Sequence, residues 1–130
     1  MIPFLLNIPW TLIGLVQALV SIPYHVRFDN TRFVIIFDVI SLWWLDIFHS
    51  PNKPKGVTSG HIVCIGPRGR GNEKILRHEL IHVEQHIRHP FVGPFLYWYE
   101  MVTRGYRNNR FEIEAYDRSD TWPEEWRPRV

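Results

Sequence analysis

Asn72-Glu73-Lys74-Ile75-Leu76-Arg77-His78-Glu79-Leu80-Ile81-His82-Val83-Glu84-Gln85 carries one helical period from end to end, and the rest of the chain is read outward from it. Asn72 offers an N-cap oxygen and Glu73 suits the positive start of a helix. Ile75, Leu76, Leu80, Val83 and Ile87 then recur at helical spacing up to the stop signal at Pro90. The spacing predicts a helix over roughly residues 73–88. Residues four apart on a helix lie one above the other, so His78 and His82 share a face and come close enough to ligate one metal ion. Glu79 follows the first imidazole, where a carboxylate can polarise a metal-bound water and carry its proton. Composition alone would produce this His-Glu-x-x-His pattern about 0.02 times in such a chain.

A catalytic zinc takes three protein ligands and leaves one position for water, so a third ligand is required. His86, His89 and the acidic pair near Glu112 are the candidates. Eight residues of helix rise about 12 Å, and bonds of about 2 Å cannot close the span from His78 to His86. His89 would need a sharp turn after His82, as a glycine permits in the longer HExxHxxGxxH pattern. Here Gln85 and Arg88 stand at the positions of that glycine and that histidine. Arg110 to Asp117 reads as a second helix, entered from a turn over Gly105 to Asn109.

His78 to Gln85 spells HELIHVEQ, and Glu112 to Tyr116 spells EIEAY. These two motifs resemble those of the gluzin metallopeptidases, whose third ligand is a glutamate on a helix after the HExxH helix. EIEAY is similar to the ExxA(D/N) element of small gluzin-like domains, and Val57 to Ile62 looks like the strand that precedes their zinc helix. The likeness covers about residues 57–119. It implies one zinc ion on His78, His82 and Glu112, Glu79 as general base, and hydrolysis of a peptide or protein substrate. Such enzymes commonly bind the peptide along an edge strand, for which Gly56 to Ile65 is the candidate, with Val57, Ser59, His61, Val63 and Ile65 on one face. Tyr116 stands where many gluzins carry the aspartate that orients the first histidine, so Tyr116 or Asp117 takes that part. Tyr106, Tyr116 and His61 are the donors available to a developing oxyanion.

From Met1 to Val26 there is no Asp, Glu, Lys or Arg. Pro9 and Pro23 bracket thirteen residues, which as a helix rise about 20 Å and fall short of a hydrocarbon core of about 30 Å. Asn7, Thr11, Gly14, Gln17 and Ser21 fall near one side, opposite Leu12, Leu15, Val16, Leu19 and Ile22. Residues 2–26 therefore suit burial or attachment to a membrane surface better than a span. The segment lacks a basic start and a cleavage site, so no cleavable signal is expected.

Tyr24 to Phe28 and Arg32 to Phe37 flank Asp29-Asn30-Thr31, a hairpin signature. Val39 to Phe48 is a short apolar stretch interrupted by Asp46, residues 50–56 a loop, Pro90 to Pro94 a connection, and the tail from Thr121 irregular. The 130 residues, 45% hydrophobic, fit one domain: a hydrophobic helix and hairpin region over 1–56, the core over 57–119 and a tail over 120–130. The expected class is α+β, with a small N-terminal sheet and an amphipathic N-terminal helix ahead of two ligand-bearing helices. Cys64 is alone, which excludes a disulfide scaffold and suits packing in a strand. Net charge is +2, and Arg68, Arg70, Lys74 and Arg77 lack interleaved aromatics, so they read as a solvated rim with no nucleic-acid partner.

Overall fold

Mixed α+β architecture is what the chain adopts in the computed structural model, which describes residues 2–46 and 55–120. Two helices, α1 (Ile2–Leu6) and α2 (Ile8–Val20), precede the hairpin β1 (Pro23–Asp29) and β2 (Val34–Val39). A short helix α3 (Trp43–Asp46) follows, then β3 (Gly56–Ser59) and β4 (Ile62–Ile65). Three helices complete the order: α4 (Glu73–Arg88), α5 (Gly93–Asn108) and α6 (Arg110–Ser119). The strands form one sheet in the order β1-β2-β4-β3, antiparallel except for the parallel pair β2 and β4.

Alternation along the strands gives the sheet two apolar faces, each covered by a helix. Val34, Ile36, Val63 and Ile65 point to one side and pack with Ile75 and Val83 of α4. Ile62 and Cys64 point to the other and pack with Ala18 of α2. Helix α2 comes unusually close here. A Cβ on Gly14 would stand 2.6 Å from Cβ of Ile62 and 2.8 Å from the carbonyl oxygen of Ser59.

Residues 56–65 do not form one strand. Gly60, at φ +59°, turns the chain so that β3 and β4 pair as a hairpin, and its missing Cβ lets the turn lie against Thr11. Of these two strands β3 lies at a sheet edge, whereas β4 is central and buried throughout. The face expected over Val57 to Ile65 is therefore split. Val57 packs with the α2 side, whereas Val63 and Ile65 belong to the α4 side. The first hairpin departs from its expected bounds for a local reason. Asp29 Oδ1 accepts the N–H groups of Thr31 and Arg32 at 2.8 and 3.2 Å, which extends the turn and delays β2 to Val34.

Helix α4 matches its expected bounds, and the Asn72 side chain caps it by accepting from the amides of Lys74 and Ile75. Asn109 caps α6 in the same way through the amide of Phe111, after the chain leaves helical geometry at Gly105. The loop expected over 50–56 lies mostly, and the tail from Thr121 wholly, outside the described residues. Residues 47 and 48 of the stretch Val39 to Phe48 also lie outside them. Within that stretch, Val39 closes β2 and residues 43–46 form α3.

Candidate metal centre

The 100° step of a helix places His78 and His82 on the side of α4 that faces α6, with Glu79 displaced toward β3. The side chains of His78, Glu79 and His82 are buried, and each offers a ligand atom within 4.8 Å of the others. This group can hold a metal ion. Across from it, on the first turn of α6, Glu112 Oε1 lies 3.2 Å from Nε2 of both His78 and His82. Glu79 Oε2 is farther, at 3.9 Å from His78 Nε2. Four groups that the sequence spaces over 35 positions are thus brought together at the junction of two helices.

Each of them is held by a second contact. His82 Nδ1 donates to Gln85 Oε1 at 2.8 Å, while the Gln85 amide donates to the carbonyl of Phe111 and to Glu114, both at 2.8 Å. Gln85 thereby ties α4 to α6 and turns Nε2 of His82 toward Glu112. Thr58 of β3 donates its hydroxyl to Glu79 Oε1 at 3.0 Å and approaches the Glu79 carbonyl at 3.1 Å. Tyr97 of α5 donates to Glu112 Oε2 at 2.6 Å. The Tyr116 ring stands 4.4 Å from the ring of His78, and its hydroxyl meets that of Tyr106 at 2.8 Å.

Electrostatics in this enclosed space are dominated by burial and by Glu112. Burial works against a charged His82, but the carboxylates of Glu112 and Glu79 outweigh it and push its pKa up to about 9. For Glu112 burial works against the carboxylate, and the imidazoles of His82 and His78 nevertheless hold it well below the ordinary carboxylate range. Burial, and then the nearby Glu112, push the phenols of Tyr97 and Tyr106 far above their usual value, and Tyr116 up to about 12. These phenols stay protonated at neutral pH, so each keeps its hydrogen for donation.

Sequence-based candidates separate into two places. His78, Glu79, His82, Glu112, Tyr106 and Tyr116 converge. His61 belongs elsewhere: its Nδ1 contacts the carbonyls of Arg32 and Phe33 at 3.0 and 3.1 Å, and its ring packs edge-on against Phe4 at 5.0 Å. Asp117 is exposed. Cys64 is packed in β4, and burial followed by the field of Glu79 pushes its thiol up to about 12. Tyr97 and Thr58 are the contributors that no motif marks. Tyr97 has a faint signal, since Tyr97, Glu100 and Arg104 recur at helical spacing within an aromatic run and define a polar side of α5. Comparison of the chain with protein-family models, curated proteins and solved structures finds no match.

Proposed function

We propose that the chain is a zinc-dependent peptidase in which His78, His82 and Glu112 hold the metal and Glu79 is the general base. The observation that carries this reading is the equal 3.2 Å approach of Glu112 Oε1 to the two Nε2 atoms. Ligands on bonds of about 2.05 Å at tetrahedral angles stand about 3.3 Å apart, close to the distance of Glu112 Oε1 from each imidazole nitrogen. Two imidazoles and one carboxylate also match the donor chemistry that zinc takes in catalytic sites.

Bound zinc would lower the pKa of a coordinated water to about 7 and polarise a scissile carbonyl. With His82 Nδ1 donating to Gln85, Nε2 is the nitrogen that would give up its proton to a metal ion. Tyr97 holds the outer oxygen of Glu112, so Oε1 is the oxygen presented to the histidines. Glu79, more distant than Glu112 and steadied by Thr58, is the carboxylate left to take a proton from water and pass it to the leaving amine. The Tyr106–Tyr116 pair offers phenolic hydrogens beside His78 for an oxyanion. A substrate strand would lie along the edge strand β3, which carries Thr58.

A second reading, a metal-holding protein without turnover, is favoured by the burial of all four groups, each at most 9% exposed. Metal analysis of the wild type and Glu112→Ala, followed by digestion of a diverse peptide library by the wild type and Glu79→Gln, distinguishes the two. Peptidase activity requires zinc in the wild type and cleavage that disappears in Glu79→Gln. Full zinc affinity in Glu112→Ala refutes the ligand set, and a zinc-loaded wild type that cleaves no library member establishes the second reading.

A further inference from the structure

Two helices of this fold are amphipathic in the inverse sense. On the α1–α2 arm, Asn7 and Ser21 are fully buried, whereas Leu12, Val16 and Leu19 are 56, 60 and 71% exposed. Asn7 donates to the His86 carbonyl and accepts from the Phe91 amide, and Ser21 accepts from the Trp44 indole, while the buried Oε1 of Gln17 has no hydrogen-bond partner among the described residues. On α5, Tyr97 and the buried Glu100 face inward, while Phe95, Trp98 and Val102 are 55, 64 and 81% exposed. Trp10 joins the two stripes, with its ring 6.1 Å from that of Phe91 and 5.4 Å from that of Phe95.

The apolar surface continues onto the sheet beside α2. Val26 and Phe28 of β1 are exposed there, paired with Phe37 and Ile35, whereas His25 and Arg27 point to the opposite face and contact Asp38. The α2 stripe and the β1 residues beside it therefore carry no charged side chain. The indole N–H groups of Trp10 and Trp43 donate to the carbonyls of Phe91 and Val20, so they offer no directional bond to a partner. Exposed apolar side chains grouped in this way mark an interaction surface. Exposed aliphatic side chains together with exposed Trp98 and Tyr99 give the composition favoured where acyl chains meet headgroups. Among the described residues no helix is long and apolar enough to cross a membrane, so these helices fit a surface.

We propose that this face seats the protein on a lipid bilayer, with α2 and α5 in the plane of the interface and their outward side chains among the acyl chains. The proposal does not depend on the peptidase reading. Full-length chain synthesised in a cell-free system with neutral phosphatidylcholine vesicles is tested by flotation through a density gradient. The wild type is expected to float, and to stay with the vesicles in about 1 M sodium chloride, because the contact is apolar and unscreened by salt. Two separate variants, Leu12→Ser/Val16→Ser/Leu19→Ser on α2 and Phe95→Ser/Trp98→Ser/Val102→Ser on α5, are each expected to partition at least about tenfold less. Circular dichroism matching the wild type certifies the fold of each variant. Wild-type chain remaining at the bottom of the gradient overturns the proposal, as does flotation that both folded variants retain. Sedimentation of the wild type as a dimer that ignores vesicles overturns it in favour of a second copy of the chain.

Discussion

The phenolic oxygen of Tyr97 lies 2.6 Å from Oε2 of Glu112, which joins α5 to α6 at the carboxylate that faces both site histidines. The same carboxylate presents its other oxygen to His78 and His82. Removal of the hydroxyl frees Glu112 to rotate without disturbing either imidazole. Tyr97→Phe is therefore expected to weaken zinc affinity about 10- to 100-fold, measured by competition with a chromophoric chelator. An unchanged affinity would show that the hydrogen bond is incidental to the site.

Thr58 acts on Glu79 from the edge strand through a bond of 3.0 Å. Hydrogen bonds to charged groups contribute about 1.5–3 kcal/mol, so Thr58→Val is expected to lower kcat roughly 10- to 100-fold while zinc content stays at the wild-type level. Glu79→Gln, which removes the base itself, should lower kcat by about 10²- to 10⁴-fold. Loss of zinc in Thr58→Val would instead mean that β3 supports the metal site as a whole.

Gly14 is a packing requirement. A Cβ there would meet Ile62 at 2.6 Å and the Ser59 carbonyl at 2.8 Å, and neither the β4 side chain nor the β3 backbone has room to retreat. Gly14→Ala should destabilise the protein by about 1–3 kcal/mol, despite the better helix propensity of alanine. Urea unfolding provides the number, and equal or greater stability would contradict the close approach of α2.

His86 should make the fold acid-sensitive. Burial first, and then the field of His82, lower its pKa to about 4, and its Nδ1 has no hydrogen-bond partner among the described residues. His61, also lowered by burial, faces it from the β3–β4 turn. An unfolded imidazole titrates near 6.5, so the unfolded chain binds more protons between about pH 4 and 6.5. The contribution of a neutral His86 is complete above that window and is lost as pH falls through it, by roughly 2.5 kcal/mol at about pH 4.5. His86→Gln should reduce the drop in unfolding midpoint between about pH 7 and 4.5 relative to wild type; parallel curves for the two proteins would exclude this source.

Zinc should also stabilise the fold if it binds at the junction of α4 and α6. A ligand present at about 100 times its dissociation constant adds about 2.7 kcal/mol, so chelation should lower the unfolding temperature and re-addition restore it. Glu112→Ala should show a much smaller response to either treatment.

Helix α4 was legible because its information is local. Asn72, the apolar period from Ile75 to Ile87 and Pro90 act within a few residues of the positions they specify, and the helix ends where they indicate. The same holds for the start of α6 at Arg110 and, apart from one turn, for the first hairpin. Residues 56–65 misled for an equally local reason. They read as one extended strand, but the positive φ of Gly60 turns the chain in the middle of it.

By itself the sequence determined the mixed α+β class, the helix that spaces His78 and His82 on one face, and Glu112 as the carboxylate to watch. The first two follow from periodicity and capping, and Glu112 from the family resemblance of its EIEAY motif. Tertiary structure alone decided that Glu112 Oε1 lies equally far from both imidazoles, that Tyr97 and Thr58 hold the two carboxylates, and that His61 sits apart. It also decided which side of the uncharged N-terminal helix faces inward: the polar side, flanked by Asn7 and Ser21, with Leu12, Val16 and Leu19 outside. A helical wheel records only that two faces differ. Which one is buried depends on what packs against it, and here the buried partners of Asn7 come from α4 and the segment after it, some eighty residues away.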